Sequence, residues 1–149
     1  MPHFTLSIGP HGPLLGALIG VSKPRADALT AAGQPIPQAV PITGLIDTGA
    51  SCTCIDPSVL LTSLSLTPTG SVLVNTPSTG ATPHDTEQFD VALVIPATAG
   101  MTPLLFPTIP VISSELLVHQ GFHALIGRDI LDRCLLVYDG AAKTFTLAF

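Results

Sequence analysis

Proline and glycine divide the chain into short apolar segments, and this division limits what it can fold into. The 149 residues include 15 prolines and 13 glycines, which separate the apolar runs from one another. Proline removes a backbone N–H and glycine weakens helices, so both disfavour long helices. Short apolar or alternating runs between such residues are typical of β-strands. The sequence therefore predicts a mainly β protein with one or two short helices, folded as one domain over residues 1–149.

Nine segments fit the strand pattern. They lie at 3–8, 14–21, 39–47, 71–76, 88–95, 106–112, 123–127, 134–139 and 144–149. Proline within two of them, 39–47 and 106–112, indicates edge strands or bulges. Short helices are predicted at 56–64, which begins with Asp and Pro, and at 127–134. The segment 22–39 is predicted to be a surface loop with, at most, one short helical turn.

Charge and hydropathy exclude some partners and favour others. With five Lys and Arg residues and a net charge of −5, the chain lacks the clustered cations that bind phosphates, so no nucleic-acid partner is expected. The apolar stretch at 13–21 is shorter than the roughly 20 residues of a membrane span, so no membrane partner and a cytoplasmic location are predicted. A hydrophobic fraction of 46% and a mean hydropathy of +0.58 favour a large subunit interface.

The three cysteines, Cys52, Cys54 and Cys134, are predicted to be reduced, because their number is odd and no export signal accompanies them. Cys52 and Cys54 could be taken for metal ligands, but the five histidines supply no second ligand pair at the usual spacing. Cys134 fits a core thiol better than a nucleophile. We therefore expect no metal and no organic cofactor.

One carboxylate stands in a distinctive context. Asp47 ends the apolar strand in "GLIDTGASC" (44–52) and is followed by Thr, Gly and Ala. On its own this tripeptide is a weak signal, because Asp and Gly are common in turns. About 80 residues later the chain contains "ALIGRDIL" (124–131), an apolar run and a Gly that open a short helix. Asp47 is thus either a turn residue or half of a catalytic pair.

With these two motifs the sequence resembles the retropepsins, the single-domain aspartic peptidases of the retroviral type and their cellular and bacterial relatives. The resemblance rests on "LIDTGA" (45–50), on a hairpin at 71–95 in the place of the family's flap, and on "LIGRD" (125–129). It implies a closed acid-protease barrel that is active as a homodimer. The terminal segments "PHFTLSI" and "TFTLAF" resemble the family strands that interleave between two copies in a shared sheet.

Aspartic peptidases hold a water molecule between two carboxylates, one ionised to accept its proton and one protonated to polarise the scissile carbonyl. Two adjacent carboxylates share one proton and titrate as a pair, for which aspartic proteases are the standard example. This chain has a single Asp-Thr-Gly sequence. The second carboxylate must then be Asp47 of another copy, placed opposite by two-fold symmetry.

The resemblance also assigns supporting roles around Asp47. Thr48 is similar to the family threonine whose hydroxyl bonds across the dimer axis. Gly49 permits close backbone approach, so that its N–H can support the carboxylate, and Ala50 keeps the floor small enough for an extended substrate. Both Gly49 and Ala50 are thus expected to contact the substrate.

The hairpin tip is expected to bind substrate through the backbone of Ser78, Thr79 and Gly80, as an added strand. The nearby residues His84, Asp85 and Glu87 are interpreted as solvated residues of the tip.

Gly127, Arg128 and Asp129 are expected to be structural residues near the site. In many relatives the arginine pairs with an acidic residue near the catalytic loop, but here that position, four after Asp47, is Ser51. Arg128 could instead bond backbone carbonyls or Asp129, or be a surface cation at a helix start.

Three functions are compatible with these patterns. The leading hypothesis is an aspartic endopeptidase that cleaves extended polypeptide as a homodimer. A peptide-binding or assembly module on the same fold is the alternative, since a retained Asp47 does not guarantee turnover. An acyl or glycoside hydrolase has little support, because no G-x-S-x-G elbow and no second carboxylate paired with Asp47 within the chain can be found.

Overall fold

The computed structural model describes residues 1–76, 80–116 and 118–149. Its strands are β1 (His3–Ser7), β2 (Leu14–Val21), β3 (Val40–Ile46), β4 (Cys54–Ile55), β5 (Gly70–Val74), β6 (His84–Ile95), β7 (Leu104–Ser113), β8 (Ala124–Ile126), β9 (Leu135–Asp139) and β10 (Thr144–Ala148). The helices are α1 (Lys23–Ala31) and α2 (Arg128–Leu131), with a π-helical segment at Ser58–Ser63 and a 3₁₀ turn at Val118–Gln120. The mainly β class predicted from the sequence is confirmed.

Six strands close into a barrel. Their order is β2-β3-β8-β4-β7-β6, and β6 pairs back with β2 through Val91–Val94. Along β6 every second side chain points inward, so that Phe89, Val91, Leu93 and Ile95 are fully buried. This period of two is the pattern that predicted the strands. The closed barrel is the predicted architecture.

The barrel contains a parallel strand pair that positions the candidate site. β3 runs beside β8, with Gly44 opposite Ala124 and Ile46 opposite Ile126. Only glycine fits at position 44 without a clash, because an added Cβ would lie 2.8 Å from Ile126 Cγ1. Because the two strands run in the same direction, the loops that follow them emerge side by side. Those loops begin at Asp47 and Gly127.

A hairpin extends from the barrel at the position predicted from the sequence. β5 pairs only with the first part of β6, from Gly70 opposite Gln88 to Val74 opposite His84. β6 therefore begins at His84, four residues before the predicted start. At the tip, Gly80 is exposed and has φ +60. The other two tip residues predicted to bind substrate, Ser78 and Thr79, lie outside the described residues.

The two chain ends form a separate antiparallel sheet of order β1-β10-β9. Phe4 packs edge-on against Phe145 and Phe149, at ring-centroid distances of 6.5 and 6.2 Å. The resemblance predicted that the terminal strands pair with those of another copy. Within this chain β10 pairs with β1 on one side and with β9 on the other. Pairing of this sheet with that of another copy remains a prediction.

Several local predictions need correction. The segment 22–39 contains a nine-residue helix, α1, because its first half is rich in Ala and its closely spaced prolines come only after Gln34. Lys23 also pairs with Asp27 at 2.7 Å, one helical turn away. The helix expected at 127–134 is reduced to the four residues of α2. The two-residue strand β4 was not predicted, since it is too short to show a period.

Two prolines test the edge-strand interpretation. Pro41 pairs with β2 through Leu18, but β8 joins β3 only from Gly44 onward. Pro110 pairs with β6, while β4 joins β7 only at its end. Each proline therefore lies in a part of a strand that has a neighbour on one side, as its missing N–H requires.

No helix in the described part of the chain is long and apolar enough to span a membrane.

Candidate active site

The loop after β3 presents the Asp47 carboxylate at the edge of a groove. The Asp47 N–H donates to Ile126 O (3.0 Å), which joins the loop to β8. The Gly49 N–H donates to Asp47 Oδ1 (2.9 Å), and the Ala50 N–H donates to Asp47 O (3.2 Å). A Cβ at Gly49 would lie 3.1 Å from the same carboxylate oxygen, so glycine allows this approach. The carboxylate is half-buried and held by a backbone donor.

Thr48 lies at the outer surface of this loop and is exposed. Its side chain makes no hydrogen bond to any residue of the described segments, whereas its carbonyl oxygen accepts from Arg128. The Thr48 side chain is therefore exposed and has no hydrogen-bond partner in the described segments. Its expected role across a dimer axis remains a prediction.

Arg128 binds the Asp47 loop through hydrogen bonds to its backbone carbonyls. Its Nη1 donates to Thr48 O (3.0 Å) and to Gly49 O (3.3 Å), and its backbone N–H donates to Ala50 O (2.9 Å). Of the alternatives left open by the sequence, the structure thus has backbone carbonyls as its partners. Each bond is to a neutral acceptor, so Arg128 fixes the shape of the loop and leaves the Asp47 carboxylate without a guanidinium contact.

Gly127 and Asp129 connect the same two loops through Thr53. A side chain at Gly127 is impossible, because a Cβ would lie 2.6 Å from the backbone carbon of Cys52. The Asp129 carboxylate accepts from Thr53 N–H (2.9 Å) and Thr53 Oγ1 (2.8 Å), while Thr53 Oγ1 accepts from Gly127 N–H (3.1 Å). Thr53 is fully buried. It is a positioning residue that the sequence analysis missed, since nothing in its local sequence marks it.

A second missed residue, Asp56, fixes one wall of the groove. Its buried carboxylate accepts from Ser58 N–H (2.9 Å), Ser58 Oγ (2.6 Å) and Leu116 N–H (2.9 Å). Burial alone would raise the pKa of the Asp56 carboxyl, but these hydrogen bonds, aided by His123, hold its pKa below the ordinary value. Asp56 thereby ties the segment at 114–116 to the start of the π-helical segment.

The groove beside Asp47 has a volume of about 960 Å³, which is the size of a ligand-binding cleft. One side is formed by the Asp47 loop and β4, and the other by the hairpin and the end of β7. Its lining residues include Asp47, Cys54, Val74, His84, Ile112 and Leu125. More of the lining surface is apolar than polar, and few charged groups lie in it.

Burial raises the pKa of all three cysteine thiols, which disfavours the thiolate that a nucleophile needs. Cys54 lies in the wall, where burial, followed by the charges of Cys52, Asp129 and Asp47, raises its pKa to about 12. Burial and Asp129 also raise the pKa of Cys52, and burial raises that of Cys134, which donates to Ile130 O (3.6 Å). Within the described segments no three His, Cys, Asp or Glu residues converge as a metal site would require.

A closed barrel in which a parallel strand pair presents a single Asp-Thr-Gly loop is the fold of retropepsin-like proteases. Residues 11–137 match the family described as retroviral aspartyl protease. This match covers most of the chain, which therefore belongs to that family.

The fold has solved relatives. It is similar to that of a retropepsin-like aspartic protease from Rickettsia conorii, with a TM-score of 0.60 and 16% identity over 99% of this chain and 90% of that one. Weaker matches are the foamy viral protease-reverse transcriptase with an RNA/DNA hybrid (TM-score 0.44, 17% identity, 81% of this chain and 12% of that one) and the retroviral protease-like domain of Ddi1 from Leishmania major (0.36, 13%, 86% and 82%). No curated protein matches the chain.

Proposed function

We propose that the chain is an aspartic endopeptidase that cleaves extended polypeptides as a homodimer, with Asp47 of each copy at a shared site. The observation that carries this proposal is the single Asp47 carboxylate, held by the Gly49 N–H at the edge of a large apolar groove. One carboxylate cannot serve as base and acid at once, so a second copy supplies the other.

The proposed reaction needs no metal and no organic cofactor. One Asp47 carboxylate accepts a proton from a water molecule, whose oxygen then attacks the carbonyl carbon of the peptide bond. The protonated partner carboxyl gives its proton to the carbonyl oxygen. When the tetrahedral intermediate collapses, the C–N bond breaks and the leaving nitrogen takes the proton that the first carboxylate had accepted from water. One hydroxyl of the intermediate gives its proton to the second carboxylate as a C=O bond re-forms, so the dyad returns to its starting state.

Exposed apolar groups in the terminal sheet support a homodimer. Leu135 and Val137 are 56% and 50% exposed, and Tyr138 is 58% exposed, all on β9. Within the part of the chain that the structure describes, β9 pairs only with β10, so its other edge is open there. Burying such a strand against a second copy would remove this apolar surface from water and pair its free backbone groups.

The hairpin of β5 and β6 is proposed to act as a flap. It stands beside the groove that contains Asp47, and Val74 and His84, at its last strand pair, line that groove. Closure would bring the backbone of Gly80, with Ser78 and Thr79, to an extended substrate and would exclude water from the dyad. Apolar side chains next to the scissile bond are favoured by the apolar lining. We also propose a cytoplasmic location, since all three cysteines are free.

The test is digestion of an unfolded protein such as casein from about pH 4 to about pH 8, by the wild type and by Asp47→Asn. We expect the wild type to cleave and to be blocked by a statine-type transition-state mimic. The variant should fold normally and lose about 10³-fold or more of the activity, because a carboxamide cannot accept the proton. Equal cleavage by both proteins would rule out the dyad. Peptide binding without cleavage by either would favour the peptide-binding module.

A further inference from the structure

The groove carries a second carboxylate that the proposed reaction does not use. Glu115 lines the same cavity as Asp47 and is exposed to solvent. The only ion pair between residues of the described segments is that of Lys23 with Asp27, so Glu115 has no cationic partner there. Among the described residues that line the cavity there is no Lys or Arg, and His84 is the only basic side chain. The groove therefore has a free negative charge.

The backbone around Glu115 is fixed on both sides. The Ser114 N–H donates to Ile55 O (3.1 Å), and the Leu116 N–H donates to the buried Asp56 carboxylate (2.9 Å). One residue earlier, Ser113 O accepts from Thr86 Oγ1 (2.6 Å) on β6. Glu115 thus sits between two anchored residues, with its side chain left unpaired among the described residues. A charged group on a fixed segment of a groove is positioned for recognition, because little ordering remains to be done on binding.

The surroundings of Glu115 fit a long basic side chain. Pro57, Ile112 and Leu125 provide apolar surface in the same cavity. Lysine and arginine lay their methylene stems along apolar surface and keep the charged end in polar surroundings. The cavity therefore combines apolar surface for the stem of a basic side chain with a carboxylate, Glu115, for its charge.

We propose that Glu115 determines specificity by binding a Lys or Arg side chain of the polypeptide substrate within the groove. This inference rests on the proposed peptidase function, since it names a substrate feature for the same groove. It is compatible with apolar side chains at the scissile bond, because the basic side chain occupies a different position of the extended peptide. Covering of the groove by the hairpin would strengthen the ion pair by excluding water.

The experiment measures kcat/KM for a set of peptides that share one cleavable sequence. A single residue, either Lys or the uncharged norleucine, is moved through successive positions on both sides of the scissile bond. We expect the wild type to prefer Lys by about 3- to 10-fold at one position, the range for an ion pair between surface and interior strength. The preference should fall as salt is raised, because the pair is partly exposed.

Two variants and one matched control identify the responsible residue. Glu115→Gln should abolish the preference for Lys, and Glu115→Lys should reverse it, so that norleucine is preferred to Lys at the same position. Glu87 is the other glutamate of the chain, is exposed and does not line the groove, so Glu87→Gln changes the net charge equally and should keep the preference. Thermal unfolding of each variant checks that the fold is unchanged.

The outcomes separate this inference from the proposed function. Cleavage that depends on Asp47 but shows no preference for Lys, or a preference that Glu115→Gln retains, overturns the subsite and leaves the peptidase standing. If no peptide is cleaved, binding of the same labelled peptides to the wild type and to Glu115→Gln is measured by fluorescence anisotropy. A preference for Lys that depends on Glu115 then supports the subsite without the peptidase, and equal binding of all peptides overturns both.

Discussion

The floor of the groove and the hairpin beside it are held in opposite ways. In the floor, buried groups join segments that are far apart in the chain, as when the Asp129 carboxylate binds Thr53. In the hairpin, β5 has one neighbour and exposes most of its side chains, with Leu73 70% exposed. The floor is thus fixed by many interactions at once, whereas the hairpin depends on one edge of β6. The floor should therefore have a high local stability and the hairpin a low one, as the proposed roles of fixed site and movable flap require.

Among the floor, the wall and the hairpin, the largest effect on stability is expected in the floor. Thr53→Val keeps the shape of the side chain but removes the hydroxyl that donates to Asp129 and accepts from Gly127. Because the partners would be left unsatisfied close to the core, we expect the free energy of unfolding to fall by about 2–4 kcal/mol. Urea denaturation at a fixed protein concentration measures this loss.

The control for that prediction is Thr53→Ser, which retains the hydroxyl and loses only a methyl group, at a cost of about 1 kcal/mol. An equal loss in the two variants would show that packing, and not the hydrogen bonds, holds the floor together.

A smaller effect is expected at Asp56, in the wall of the groove. Asp56→Asn leaves one acceptor oxygen where there were two, so the donors at Oδ1 or at Oδ2 lose their partner. We expect unfolding near pH 7 to become easier by about 1–3 kcal/mol. The loss is measured by denaturant titration over a series of pH values.

The pH dependence of that loss follows from the lowered pKa. The folded-state pKa of Asp56 lies below its ordinary value of 3.8, so the unfolded chain binds the proton first as the pH falls. The contribution of Asp56 is therefore fully present above pH 3.8 and is lost as the pH falls through the folded-state pKa. The gap between wild type and Asp56→Asn should narrow over this window, and a constant gap would count against the carboxylate as the source.

The smallest effect is expected in the hairpin. Leu73→Ser should change the free energy of unfolding by less than about 0.5 kcal/mol, because the side chain is mostly in water. The matched control is Leu93→Ala on the barrel part of β6, where the side chain is fully buried and a loss of about 2–5 kcal/mol is expected. Comparable losses at the two leucines would mean that the hairpin is as firmly held as the barrel.

Local sequence patterns predict the structural elements that depend on neighbouring residues. The strands, the hairpin and the loop at Asp47 follow from periodicity, turn residues and a short motif, and all lie where expected within a few residues. The contacts that hold the site together were not predictable in the same way. Thr53 and Asp129 are 76 residues apart, and neither has a neighbour in sequence that reveals the other. The partners of Arg128 were left open for the same reason.

The misplaced elements have a different cause. Helix α1 was predicted as a loop because the prolines of 22–39 outweighed its Ala-rich first half, although Pro24 is at the start of the helix, where proline is tolerated. β4 has two residues, and its position is set by β7 and β8 on either side. Such a strand exists because of its neighbours, so no local signal could identify it.

Because β10 has its own chain on both sides, each copy is complete as a fold while it remains incomplete as the proposed catalyst. Folded protomers would then exchange between dimers, and dilution would stop cleavage by dissociating the dimers without unfolding any protomer. In a mixture of intact and Asp47→Asn copies, the fraction of dimers with two Asp47 residues would equal the square of the intact fraction. A minority of Asp47→Asn copies would therefore inactivate a larger share of the dimers.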